Sequence, residues 1–299
     1  MKRSLIAPIG LCSFIALALF FSCAKNSNPK PPIHDTVTVI KKDTLTDTLY
    51  ATKPDPTVNL KKGLLLYLPF SGNIADSSGN GNPTQAAGGN LLTYDAHGYA
   101  NNAFGADGTG TQKVYVTNNG SIQFDTAYSV SFGFMTNDTT VQGSYVSMID
   151  PVTGLGESFG IGQMTTSNPS RFVWGTVDYT SGCSQIPLNN AINFTDTTNF
   201  SPIPGAWYNA VLMYYKGTTQ IYINGSLIFT KTGQATKSNL CPSSQIIIGS
   251  WWNSDPLHFK GKLDNVRLYN RTLTPHEIIE LSKNYQITSN SVKPGIRTN

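Results

Sequence analysis

Between Gly63 and Tyr269 the chain is a succession of short β-branched and aromatic runs, each cut off after a few residues by glycine, asparagine or serine. No run there sustains the 3.6-residue apolar period of a long helix, so the apolar side chains must be buried by strand pairing. Leu64-Leu65-Leu66-Tyr67-Leu68 is apolar on both faces, as a strand inside a sandwich would be. Ala127–Met135 and Arg171–Val177 alternate apolar with polar or small residues, and Trp207–Tyr215, Gln220–Ile223, Leu227–Phe229, Gln245–Ile248 and Leu263–Tyr269 complete the set. Asn224-Gly225, between two of these runs, is the signature of a type I′ hairpin. Many short strands at this spacing predict an all-β, antiparallel sandwich of the jelly-roll kind.

Composition excludes the main alternatives. Charged residues make up 13% of the chain, about half the usual share, and Glu157, Glu277 and Glu280 are its only glutamates. An all-α fold spends glutamate and lysine freely on its exposed faces and is excluded on that ground. A content of 39% apolar and 11% aromatic residues is ample for a core. The net charge of +4 is carried by scattered lysines and arginines without a basic stripe, so nucleic acid is not an expected partner. One short helix is predicted near the C-terminus. Thr274 supplies a capping hydroxyl, Pro275 opens the first turn, Glu277 stands at the third position, and Ile278, Ile279 and Leu281 form an apolar face running to about Lys283.

The N-terminus carries an address. Lys2 and Arg3 precede an uncharged, apolar stretch from Ser4 to Ala24, the pattern of a secretory signal over residues 1–22. Phe20-Phe21-Ser22-Cys23 resembles a bacterial lipobox, with Phe20 where leucine is usual, and implies acylation of Cys23 and a lipid anchor in the outer membrane. A plain membrane anchor, or cleavage and release, are the alternatives. No acidic residue follows Cys23 directly, so the periplasmic and surface faces both stay open. Residues 23–60 are rich in threonine, aspartate and proline and read as an extended stalk, able to span roughly 100 Å at about 3.1 Å per residue. Residues 61–285 form the folded domain and 286–299 a loose tail. Export leaves Cys183 and Cys241 in the mature chain, where an oxidising compartment favours their pairing; separately buried thiols are the alternative. A bridge closing so long a loop contributes about 4 kcal/mol in the chain-entropy account.

Four segments together resemble a laminin-G-like jelly roll of the concanavalin A-like lectin/glucanase type, as appended to Bacteroidetes-type lipoproteins. They are Leu66–Asn82, then Asn102–Gly108, then Gly205–Gly225 with its tryptophan strand and hairpin, and last Phe259–Arg271 with the capped helix. The resemblance spans about residues 62–283. It departs from the family pattern at Ala106, where phenylalanine usually precedes the Asp-Gly pair, and at Asn265, where a second acidic residue is common.

The resemblance implies a binding module with carbohydrate as the first ligand class, and a structural or adhesive protein binding other proteins as the alternative. It also implies a structural calcium ion. Asp76-Ser77-Ser78-Gly79-Asn80-Gly81-Asn82 presents oxygen donors at alternate positions, and Asp76, Asn80 and Asp264 are the expected ligands. The competing reading is a turn whose side chains bond their own backbone. For the sugar, Trp251 and Trp252 with Asn253 and Asp255 combine indole faces with polar hydrogen-bonding groups. The alternative there is that one tryptophan fills the core while the other covers its rim.

Catalytic signatures are weak. Gly156-Glu157-Ser158-Phe159-Gly160 matches the pattern of a hydrolase nucleophile elbow, but a glycine-rich strand follows it instead of the required helix. A glycoside hydrolase on this fold would need paired carboxylates on one strand, and no Glu-x-Asp arrangement occurs. No residue is assigned a catalytic role.

Overall fold

The computed structural model describes residues 57–89, 91–164, 171–176, 183, 198–234, 236–254 and 258–285. The signal and most of the stalk, Cys23, Asp255 and the tail lie outside these residues. In chain order the first strands are β1 (Leu64–Leu68), β2 (Thr84–Ala87), β3 (Leu92–Thr93), β4 (Ala103–Asp107), β5 (Lys113–Val116), β6 (Ala127–Thr136) and β7 (Gly143–Ile149). They are followed by β8 (Phe159–Met164), β9 (Arg171–Thr176), β10 (Trp207–Tyr215), β11 (Thr218–Ile223), β12 (Ser226–Lys231), β13 (Gln245–Ile248) and β14 (Lys260–Tyr269). Helix α1 (Pro275–Ser282) and a 3-10 turn over Lys283–Tyr285 close the described chain.

Two antiparallel sheets result. One runs β12-β11-β10-β6-β14-β4-β3, with β1 also paired to β14; the other runs β2-β5-β13-β7-β8-β9. Strand β14 is shared along its length: its first half pairs with β4 and its second half with β1, while β6 lies along its other edge. This crossed order is that of a jelly roll, as the sequence predicts. The inward residues of both sheets, among them Phe132, Phe134, Tyr145, Phe159, Phe172 and Trp174, meet in one core. Asn224 and Gly225 both take positive φ, 49° and 82°, as the predicted type I′ turn requires.

Helix α1 forms as its sequence dictates. The Thr274 hydroxyl accepts from the Glu277 backbone N–H while the Glu277 carboxylate accepts from the Thr274 N–H, closing the capping box. Ile278 and Leu281 pack with Val211, Met213, Tyr269 and Leu273 on the outer face of the eight-stranded sheet. Each such burial is worth about 1.5–3 kcal/mol. Arg271 grips Glu277 through both oxygens, at 2.7 and 2.8 Å, and also donates to the carbonyls of Asn59 and Lys62. Residues 57–62, just before β1, are thereby held to the helix.

Candidate functional site

Alternation along a strand puts Ile246 and Ile248 of β13 in the core and leaves Ile247 on the outer face of the six-stranded sheet. The chain leaves β13 through Gly249 and Ser250 and folds back over that outer face. Trp251 covers Ile149 and Ile247 there and is 8% exposed, while the half-buried Trp252 packs edge-on against it, ring centroids 5.5 Å apart. Neither tryptophan lies between the sheets: both belong to a small second cluster that also takes in Tyr115. Trp251 reaches over β8, where Gly160 leaves room for its ring and for the Glu157 carboxylate; a Cβ there would collide with Glu157 Oε1. Gly143, Gly160 and Gly162 line a narrow recess beside Trp251.

The loop is clamped from below. Ser147 Oγ donates to the carbonyls of Ser250 and Trp251, and Lys113 Nζ donates to those of Trp252 and Asn253. Tyr115 O–H donates to Asn253 Oδ1 at 2.6 Å, and the Asn253 N–H donates to the Pro151 carbonyl. Trp251, Trp252 and Asn253 are thus brought together as one ordered patch in which Trp252 is the more exposed ring. Lys113 and Tyr115 were not among the residues expected here. Their only signal is the alternation Lys113-Val114-Tyr115-Val116, which sets both on one face.

Glu157 is 1% exposed. Burial pushes its carboxyl well above the usual carboxylate range, and the Trp251 side chain, which favours the charged form, opposes this only in part. The neighbouring Ser158 is buried just before β8 and is followed by that strand, not by a helix, so the nucleophile-elbow geometry is absent. Glu277 is committed to Arg271 and the capping box, and Glu280 to Lys283. No two of the three glutamates share a surface groove among the described residues.

The residues expected to hold calcium are engaged by the chain itself. Asp76 Oδ1 accepts from the N–H groups of Tyr67 and Ser78; its Oδ2 accepts from the Asn82 backbone N–H, Asn82 Nδ2 and Ser78 Oγ, all between 2.8 and 3.1 Å. Asn80 turns its Nδ2 to the carbonyls of Leu64 and Leu65. Asp264 lies on the outer face of β14, where its Oδ2 accepts from Tyr285 O–H and Asn265 Nδ2. Burial pushes the Asp264 carboxyl up to about 6 against the opposing pull of those donors. The donors that hold Asp76 and those that hold Asp264 are different groups. Among the described residues no group of three or more His, Cys, Asp or Glu is placed to hold a metal ion. A hard cation prefers six to eight free oxygens. Both Asp76 oxygens are taken by N–H and O–H groups, and Asn80 turns its NH₂ to backbone carbonyls. The buried Asp264 Oδ1 is left as a lone carboxylate oxygen without a donor among the described residues, so this set does not fit such a cation.

Cys183 and Cys241 are joined in a disulfide with a Cα–Cα separation of 5.6 Å. The bridge ties the segment before β13 to the chain between β9 and β10, and Gly156 of the β7–β8 connection packs against it, its carbonyl accepting from Ser244 Oγ.

This layered architecture is shared with known proteins. Residues 107–279 match the concanavalin A-like lectin/glucanases superfamily, and the chain belongs to that family. No curated protein sequence matches the chain. Among solved structures, it is similar to domain 4 of AbnA, an extracellular arabinanase from Geobacillus stearothermophilus, in complex with arabinotriose. The TM-score is 0.53 at 18% identity, covering 74% of this chain and 98% of that one. It is also similar to the binding domain of Paraclostridial Mosquitocidal Protein 1, with a TM-score of 0.54, 19% identity, and coverage of 76% of this chain and 53% of that one. A third similar structure is of botulinum neurotoxin type C, whose cell entry depends on interaction with two ganglioside molecules. Its TM-score is 0.55 at 16% identity, covering 76% of this chain and 52% of that one. The chain spans about half of each of these two toxin structures, and at such identities the likeness establishes the fold.

Proposed function

We propose that the protein is a non-catalytic carbohydrate-binding module, held in the bacterial outer membrane by a lipid on Cys23 and raised from it by the stalk. The observation that carries the non-catalytic part is the fate of the three glutamates: one buried under Trp251, one locked to Arg271 and one paired on the helix surface. A glycosidase on this fold needs two carboxyl groups facing each other across a groove. The carbohydrate part is supported by family membership and by similar structures bound to, or dependent on, sugars. Trp252 beside the Asn253 carboxamide and Tyr115 hydroxyl offers the aromatic and polar groups such a ligand takes.

The test is a glycan-array and polysaccharide-retardation screen on the full-length protein, purified with detergent from bacterial membranes. Saturable binding without release of reducing sugar is expected. Binding to no glycan would overturn the carbohydrate reading and direct attention to protein partners. Recovery of the chain in the soluble fraction would overturn the anchor.

A further inference from the structure

The opposite sheet carries a second concavity, formed where α1 crosses β10 and β11. Leu212, Tyr214, Ile221 and Ile223 of these strands point into the core, so Met213, Tyr215, Gln220 and Tyr222 point outward. Register places Tyr215 opposite Thr218, Met213 opposite Gln220, and Val211 opposite Tyr222. The start of α1, with Thr272 and Pro275, walls one side of this floor and encloses a groove of about 410 Å³. That volume falls within the span of small-molecule sites, roughly 300–1,000 Å³.

Its chemistry is selective. None of the lining residues is charged. Tyr215 is 50% exposed, with the Lys216 ammonium over its ring at the rim. The Tyr222 O–H donates to Gln220 Oε1 at 3.3 Å, which orients the carboxamide so that its NH₂ is the group left for a ligand. Tyr215 and Tyr222 are four residues apart in register along the strand, about 14 Å at the rise of an antiparallel strand. The amide of Gln220 lies between them. A protein interface needs a broad surface of about 1,200 Å² or more in total. An open groove with two rings, one amide and two threonine hydroxyls suits a smaller, neutral, hydroxyl-rich ligand.

We propose that this groove binds a short uncharged oligosaccharide, its C–H faces on Tyr215 and Tyr222 and its hydroxyls on Gln220, Thr218 and Thr272. The inference rests on the carbohydrate reading above and assigns that reading a site distinct from the Trp252 patch. The test is affinity electrophoresis of the full-length protein through gels containing arabinan, β-glucan, xylan or mannan, with variants Tyr222→Ala, Gln220→Leu, Trp252→Ala and Tyr99→Ala. At least one polysaccharide is expected to retard the protein. Affinity should fall tenfold or more in Tyr222→Ala and Gln220→Leu and stay within twofold in a control, Tyr99→Ala, whose exposed ring lies outside the groove. Gln220→Leu keeps the side-chain bulk and removes the amide, so it decides the matter if Tyr222→Ala does not fold. Retardation kept in Gln220→Leu, or lost only in Trp252→Ala, would overturn this site while leaving the carbohydrate reading intact. Retardation by none of the four, together with a blank glycan array, would overturn both.

Discussion

Glu157 lies beneath the Trp251 indole, withdrawn from water, and burial raises its pKa well above 4.5. In the unfolded chain the same carboxyl ionises near 4.5. Between that value and its raised folded pKa the native state binds more protons than the unfolded state, so stability falls as pH rises above about 4.5. Glu157→Gln keeps the shape and an oxygen for Trp251 but removes the titration. It is expected to flatten that fall and to stabilise the protein at neutral pH by about 1–3 kcal/mol, read from urea denaturation curves across the acid-to-neutral range. The residue scale is also where the sequence is least explicit. Two adjacent tryptophans after a strand announce that both cannot face one way, but nothing in Trp251-Trp252 says that the loop doubles back over the outer face. That outcome depends on Gly160, the Ser147 hydroxyl and the Lys113 ammonium, all remote in sequence. Asp76 and Asp264 are similar: their spacing looks like a ligand set, and only the positions of the Tyr67, Asn82 and Tyr285 donors reveal that both Asp76 oxygens and Asp264 Oδ2 are already spent.

Elements were far more legible. Strands rich in β-branched and aromatic residues, such as Trp207–Tyr215 and Gln245–Ile248, form over those same residues. The capped helix forms from the residue that the capping box implies. The strands that escaped notice, β2 to β5 and β7, are short or interrupted by glycine and serine, and they acquire their structure from their neighbours across the sheet. The grip on α1 comes from two links. The capping box is local, whereas the Arg271 fork joins the helix to Asn59 and Lys62 on the chain leading into β1. Burial pushes the Glu277 carboxyl up, but its bonds with Arg271 and the Thr274 amide outweigh that and hold it below its ordinary value. Glu277→Ala removes both links at once. It is expected to cost about 3 kcal/mol in chemical denaturation and to expose the 57–62 segment to proteolysis first. Gly133 shows a different dependence. The Tyr285 ring lies flat on its backbone, so the end of the described chain closes on the middle of β6 only because no side chain intervenes there.

For the whole molecule, the saturation of Asp76 by the chain's own donors has a thermal consequence. The loop over residues 76–82 has the shape of a self-bonded turn and is expected to keep it without a metal. The melting temperature of the full-length protein should therefore be the same in calcium as in chelator. A rise of several degrees in calcium would show that the cation displaces those donors after all. The sandwich carries two surfaces on the outer faces of its opposite sheets: the tryptophan patch on the six-stranded sheet, and the uncharged groove beside α1 on the eight-stranded one. Class, strand pattern, hairpin and helix cap were determined by the sequence alone, because each rests on interactions within a few residues: alternation, turn chemistry and a capping hydroxyl. Which face each strand presents to solvent, which carboxylates are spent, and which aromatics end beside an amide were decided only by tertiary structure. Those outcomes depend on β14 pairing with β6, β4 and β1 at once, and on loops folding back across sheets. They are contacts between residues far apart in the chain, which no local pattern encodes.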